Sequence, residues 1–364
     1  MKNFRSSAQL LSQLFSSASG RTISAPRFFR TASLNSAVAH PITAHGPPPK
    51  APSPAPGFEE HTAQCGINES NKRESAAGWQ LSKRTAALNK RFWKDVNVAK
   101  KSDGEYHVLL DTRPVRTPMK GVLSIPATKP HLAHAIALEW DVMKSAREAL
   151  KSHLIPLTSL AARAADIARE DANGDTSTRE QILRTTLGYL DTDTLLCWVP
   201  EQDVYKTDTE NAPTETLRTI QMRVARDITS YLTTKVWPGI EITPMPDENN
   251  ILPTSQPQAT KDIIRKWISD LLPHDLAAFE RGVLASKSLL VATRLLVEWS
   301  ENFRPLQQPG QKRFGIEEAA EASSLEVRWQ TEMWGEVEDT HDVDKEDLRR
   351  QLGSVIVLVS GQTR

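Results

Sequence analysis

Two stretches flank a turn near the start of the ordered part of this chain. RFWKDVNV spans residues 91–98 and HVLLDTRPVRTP spans 107–118, with SDGEY, 102–106, between them. Val96 and Val98 alternate with polar neighbours, and Tyr106, Val108 and Leu110 repeat at every second position, the spacing of half-buried strands. Asp103-Gly104 supplies a hairpin turn, since glycine accepts positive φ without strain. Asp111-Thr112-Arg113-Pro114 makes a second turn, followed by a short strand at Val115–Thr117 and a fourth at Val122–Ile125 that Pro126 stops. The reading is a β meander over 92–125.

The period then changes from two to between three and four. Leu132, Ala135, Ile136, Trp140 and Met143 share one face of a helix expected over 129–147. A second stripe, Leu157, Leu160, Ala161, Ala164 and Ile167, starts after Pro156 and breaks at Asn173-Gly174. Ser177 and Glu180 have the spacing of a capping box ahead of a helix to Leu190. Further helical patterns cover 214–236, 258–272, 275–299, 315–333 and 345–359, with Pro-rich gaps at 242–257 and 305–310. Strands first and helices afterwards define an α+β chain: a β-rich N-terminal domain with one helix over 89–155, and an all-α C-terminal domain over 156–361.

In front lies different material. Residues 1–40 read as a mitochondrial transit peptide: Arg- and Ser-rich, without acid, and amphipathic around Leu10, Leu11, Leu14 and Phe15. Residues 41–88 read as a Pro-rich linker. The full chain is formally neutral, but residues 1–58 hold six basic and no acidic residues, so the remainder carries −6. An acidic body is unsuited to nucleic acid, whose phosphates require clustered Lys and Arg. Cys65 and Cys197 are the sole cysteines, too few for a disulfide scaffold or a cysteine zinc site. No stretch is apolar for long enough to insert in a membrane.

Chemistry is sparse. No phosphate loop, nucleophile elbow or dinucleotide fingerprint occurs. His131 and His134 lie three apart but lack further ligands, and Asp191-Thr192-Asp193-Thr194 lacks the remaining ligands of a calcium loop, so helix capping is its expected role. No cofactor is expected. Two constellations remain. In Glu139-Trp140-Asp141 the tryptophan is a core residue, and Glu139 is free to orient a turn or a partner. In 325–335, Leu325, Trp329 and Met333 form a buried stripe, Glu326 and Gln330 a second face, and Trp334-Gly335 the end of the helix, with an acidic run after it. An aromatic anchor with a polar rim is the composition of a protein-interaction hot spot.

Taken in order, RFWKDVNV, LDTRPVRTP, ALEWD, IPLTSLAARAADI, YLDTDTLLCW and the L-E-x-x-W-Q-x-x-x-W-G pattern at 325–335 resemble the mitochondrial F1-ATPase assembly chaperone family that binds the F1 α subunit. The chain departs from the family's usual residues at Thr112, at Val327 and Arg328, and in lacking Trp-Asp-Pro near 214–236. The resemblance implies a non-enzymatic, monomeric protein of the mitochondrial matrix. Its partner would be the unassembled α subunit, bound through Glu326, Gln330, Trp334 and Glu139. Trp140, Asp111, Arg113, Pro114 and Gly335 would serve structure. The competing class is a matrix enzyme or small-ligand-binding protein, for which Glu139 and Glu326 would be the acids.

Overall fold

The computed structural model describes residues 88–200, 215–244, 255–307, 310, 312–337 and 339–362, all within one compact unit, Asn68–Arg364. The transit-peptide and linker readings lie outside the described residues, Leu88 apart. Most of what is described is helical, with one small antiparallel sheet.

The sheet has the order β1 (Val96–Lys100), β2 (Tyr106–Leu110), β3 (Arg113–Pro114), with Val98 opposite Val108. Gly104 has φ +91°, and the Asp103 carboxylate accepts the Glu105 N–H, which fixes the hairpin. The expected third and fourth strands shrink. Pairing of the third is confined to Arg113–Pro114, while 122–125 contributes only isolated bridges, Tyr106 to Ile125 and Arg116 to Val122. Thus β-rich overstates this region. At the second turn the left-handed residue is Asp111 (φ 55°), so Thr112 needs no glycine's freedom. Aspartate enters that region because its short side chain bonds locally. Here Asp111 Oδ1 accepts the N–H groups of Lys94 and Asp95 at 2.9 and 3.0 Å, and these bonds hold the carboxyl below its usual range.

Helix α1 (Pro130–Val142) lies on β1 and β2, burying Leu132, Ala133, Ile136 and Trp140. It ends five residues earlier than its pattern suggests, and Met143 is buried in extended backbone at the C-cap. Trp93 and Trp140 stack edge to face at 5.3 Å, and the Trp93 indole donates to the Trp140 carbonyl. Then follow α2 (Pro156–Ala172), α3 (Ser177–Gly188), α4 (Leu217–Tyr231, continued by a π turn to Val236), α5 (Gln258–Ser269), α6 (Pro273–Ser286), α7 (Leu289–Trp299), α8 (Ile316–Ser323), α9 (Leu325–Trp334) and α10 (His341–Val359). Helix α6 is central: α2, α7 and α10 all pack on it. Gly282 lets α6 approach α7, since a Cβ there would sit 3.1 Å from that of Ala292.

At three of the boundaries that differ from the sequence pattern, local hydrogen bonds set the difference. The pattern 275–299 is two helices because Lys287 turns left-handed (φ 53°) and the Ser288 hydroxyl caps the next helix by accepting from Val291 N–H. The pattern 315–333 breaks at Ser324, where Ser323 and Ser324 donate back to the carbonyls of Ala319 and Ala320 and so compete with the helix ladder. The cap of α3 is Thr176, not Ser177; the Asp175 carboxylate accepts the Ser177 N–H.

One buried cation ties the first helix to the last. Lys129 is almost wholly enclosed, and its Nζ donates to the carbonyls of Val359 and Ser360 at 2.9 and 3.0 Å and pairs with Glu301 at 2.8 Å. The two carbonyls belong to the C-terminal end of α10, which has no helical donor for them. Thr128 donates to Glu301 and its carbonyl accepts the Gln362 N–H. A Cβ on Gly361 would fall 2.0 Å from a Glu301 oxygen, so the crossing admits only glycine there. Removing one partner of a buried pair strands the other, which typically costs about 3–5 kcal/mol. Lys129→Ala should therefore lower the melting temperature by many degrees in a thermal scan. An unchanged melting temperature would mean that the enclosed pair contributes nothing.

His274, beside this pair, is held at about 4, first by burial and then by the Lys129 charge. A depressed folded-state value means that the neutral ring is favoured. Its stabilising effect is complete above 6.5 and is lost as pH falls toward about 4. Buried Asp193, pushed up to about 6, acts with the opposite sign over the lower part of that window, so only a comparison isolates the histidine. The advantage of the parent over His274→Gln in melting temperature should shrink as pH drops from about 6.5 to about 4. Parallel profiles would contradict this.

Candidate functional site

Helix α9 carries the residues expected to meet a partner. Its anchor is Leu325 and Trp329, which with Leu217 of α4 form a small cluster separate from the main core; Val199, Ile220, Val224 and Met333 pack around it. The indole nitrogen of Trp329 is buried there without a hydrogen-bond partner. Glu326 is exposed, and its carboxylate accepts from the Gln330 side chain at 3.1 Å, so the two make one polar face. Trp334, 63% exposed, continues that face one turn later. Gly335 ends the helix with φ 92° and ψ 160°, a conformation essentially confined to glycine. The structure thus brings Glu326, Gln330 and Trp334 together on an outward surface.

Glu139 belongs elsewhere. Its oxygens accept the backbone N–H groups of Leu157 and Thr158 at 2.7 and 2.8 Å and the Thr158 hydroxyl at 2.7 Å. It is the N-terminal cap of α2, reached across space from α1. Burial raises its carboxyl above the usual range, against the pull of these bonds. The Trp140 indole donates to the same Thr158 hydroxyl at 3.1 Å. Indole, hydroxyl and carboxylate form one line, so Glu139 engages three donors inside the fold and braces the start of α2. Trp140 is buried against Trp93, and Asp111 accepts the Lys94 and Asp95 N–H groups. Arg113 and Pro114 form β3 against Leu110 and Leu109.

The Asp191–Thr194 run caps and pins. Asp193 accepts from Leu195 N–H and, at the start of α7, from Leu290 N–H. Asp191 pairs with Lys261 and accepts from Gln256 N–H. Among the described residues no group of histidines, cysteines and acids could hold a metal ion. Sequence reasoning missed the pairing of Arg328. It binds Glu321 at 2.5 Å and Glu332 at 2.9 Å, so a basic residue in this acidic region is neutralised on its own flank. The i to i+4 spacing of Arg328 and Glu332 was the available signal.

The chain belongs to the ATP12 chaperone protein family. That family's profile matches residues 90–233. The chain is 32% identical to the protein named atp12, mitochondrial, of Schizosaccharomyces pombe over 74% of its own length and 81% of that protein's. It is 30% identical to the ATP12, mitochondrial, protein of Saccharomyces cerevisiae, over 75% and 85%. The crystal structure of Atp12 from Paracoccus denitrificans shares the fold, with a TM-score of 0.52 and 22% identity over 74% of this chain and 97% of that one.

If Glu139 is a brace, Glu139→Gln should destabilise the fold without altering any surface. An amide offers one acceptor oxygen where two N–H groups need acceptors, and loss of a cap costs about 0.5–2 kcal/mol. The expected result in denaturant titration is a lowered midpoint, with partner binding per folded molecule unchanged. Normal stability with lost binding would return Glu139 to the surface.

Proposed function

We propose that this protein is an assembly chaperone of mitochondrial F1-ATPase in the matrix, which binds the unassembled α subunit, covers its apolar subunit interface and yields it to the β subunit. It works as a monomer, after removal of an N-terminal transit peptide, and catalyses no reaction. The observation that carries the reading is the exposed Glu326–Gln330–Trp334 face on a helix whose other side is anchored by Leu325 and Trp329. Membership of a chaperone family and the mitochondrial names of the relatives support it. No helix among the described residues is long and apolar enough to cross a membrane.

The physical demands fit. Uncovered subunit interfaces aggregate. A holder must bind strongly enough to protect and weakly enough to be displaced, which favours a part-polar surface. Displacement by β needs no hydrolysis, because mass action drives it. The test is Glu326→Lys. Reversing an interfacial charge costs binding through lost complementarity and repulsion, whereas exposed helical substitutions usually shift stability by about 0.5 kcal/mol or less. The variant should melt as the parent does and fail to keep a newly unfolded α subunit soluble. Full protection by a stable variant would remove this face from the client site.

A further inference from the structure

The other flank of α9 faces a cleft of about 620 Å³, closed on the far side by α10 and the connection between the two helices. Ala320, Val327 and Leu348 give it an apolar part. Its arginines are spoken for, Arg328 by Glu321 and Glu332 and Arg349 by Glu317 and Glu346, and Lys345 is the other basic side chain of the lining. Glu336 and Asp344, also in its lining, have no cationic partner among the described residues. From Glu326 to Asp347 the sequence holds nine acids against two bases, a local charge of −7. Exposed valines are interleaved with these charges: Val327 at 46%, Val337 at 57% and Val343 at 56%.

Solvated charge alone does not explain this composition, because a solvated acidic face has no need of a concave wall with Ala320, Val327 and Leu348 in it. An acidic rim around an apolar hollow is complementary to one kind of occupant, a segment with aliphatic residues on one face and Lys or Arg on the other. A cavity of this size takes several side chains, the scale of a helix face laid into a groove. We propose that the cleft between α9 and α10 is a second docking site, which selects a basic amphipathic segment of the assembly client. This rests on the holding function proposed above but uses different residues from the Glu326 face. Two surfaces on opposite flanks of one helix would let a client be gripped at two points, with the second contact made at high effective concentration.

The test uses the full chain and two labelled synthetic amphipathic peptides with identical apolar positions, one with Lys and one with Glu at the polar positions. Fluorescence anisotropy should show the Lys peptide bound at least about tenfold more tightly, with the preference falling as salt screens it. Glu336→Lys combined with Asp344→Lys should reverse the preference, and Val327→Asp should weaken both peptides; all three positions are exposed or at the cleft wall, and unchanged melting temperatures would verify the fold. The double variant should also protect an unfolded α subunit less well. Equal binding of the two peptides, no binding of either, or full α protection by the double variant would each overturn the cleft assignment. The Glu326→Lys result is read separately, so failure of the cleft leaves the holding function standing, and failure of the holding function shows as absence of α protection by the parent protein itself.

Discussion

The enclosed contact of Lys129 with the end of α10 is the constraint on which the arrangement turns. A lysine ammonium is costly to remove from water, and here three oxygens replace its hydration shell. Two of these are terminal helix carbonyls that carry the negative end of the helix dipole. The third is a carboxylate drawn from the turn after α7. One side chain therefore registers the start of α1, the turn after α7 and the end of the chain's last helix. Because α1 covers the small sheet and α10 covers α6, the sheet and the helical body are held in one relation. The fit at Gly361 shows how little freedom remains at the crossing.

A second device recurs through the fold: an acidic side chain from one element ends or starts another. Asp111 receives the entry to β1, Glu139 receives the start of α2, and Asp193 receives the start of α7. Each satisfies backbone donors that the element itself cannot satisfy, and the donors named here lie 16 to 97 residues away in sequence. Glu326, in the C-terminal part, has its printed contact with Gln330 on its own helix, which apolar contacts already anchor.

Periodicity was a good guide wherever side chains alone decide structure. The Val96–Val98 and Tyr106–Leu110 alternation became β1 and β2, and the stripe of Leu157 to Ile167 became the buried face of α2. It failed where hydrogen bonds cut across a continuous apolar pattern, as at Lys287 and at Ser323-Ser324, because hydropathy contains no record of a hydroxyl returning to a carbonyl. The Glu326–Gln330–Trp334 face was legible since its members lie on one helix. Glu139 was not, since its donors come from a different helix and no spacing rule links them. Lys129 was invisible for the same reason: a lysine before Pro130 looks like any solvated helix start.

Helix α9 hangs on three buried residues outside the main core, with one indole N–H enclosed and unsatisfied. Its local opening energy must therefore lie well below that of α6 or α10, because few apolar contacts oppose release and the enclosed donor regains water. Amide exchange in α9 would then proceed through excursions that leave the rest of the molecule intact. A partner that grips this helix also stiffens it, so part of the binding free energy is spent on ordering, and affinity is moderated by the protein's own looseness. Under the holding function proposed above, a weakly moored contact helix would raise the off-rate from inside the fold, independently of how well the surfaces match.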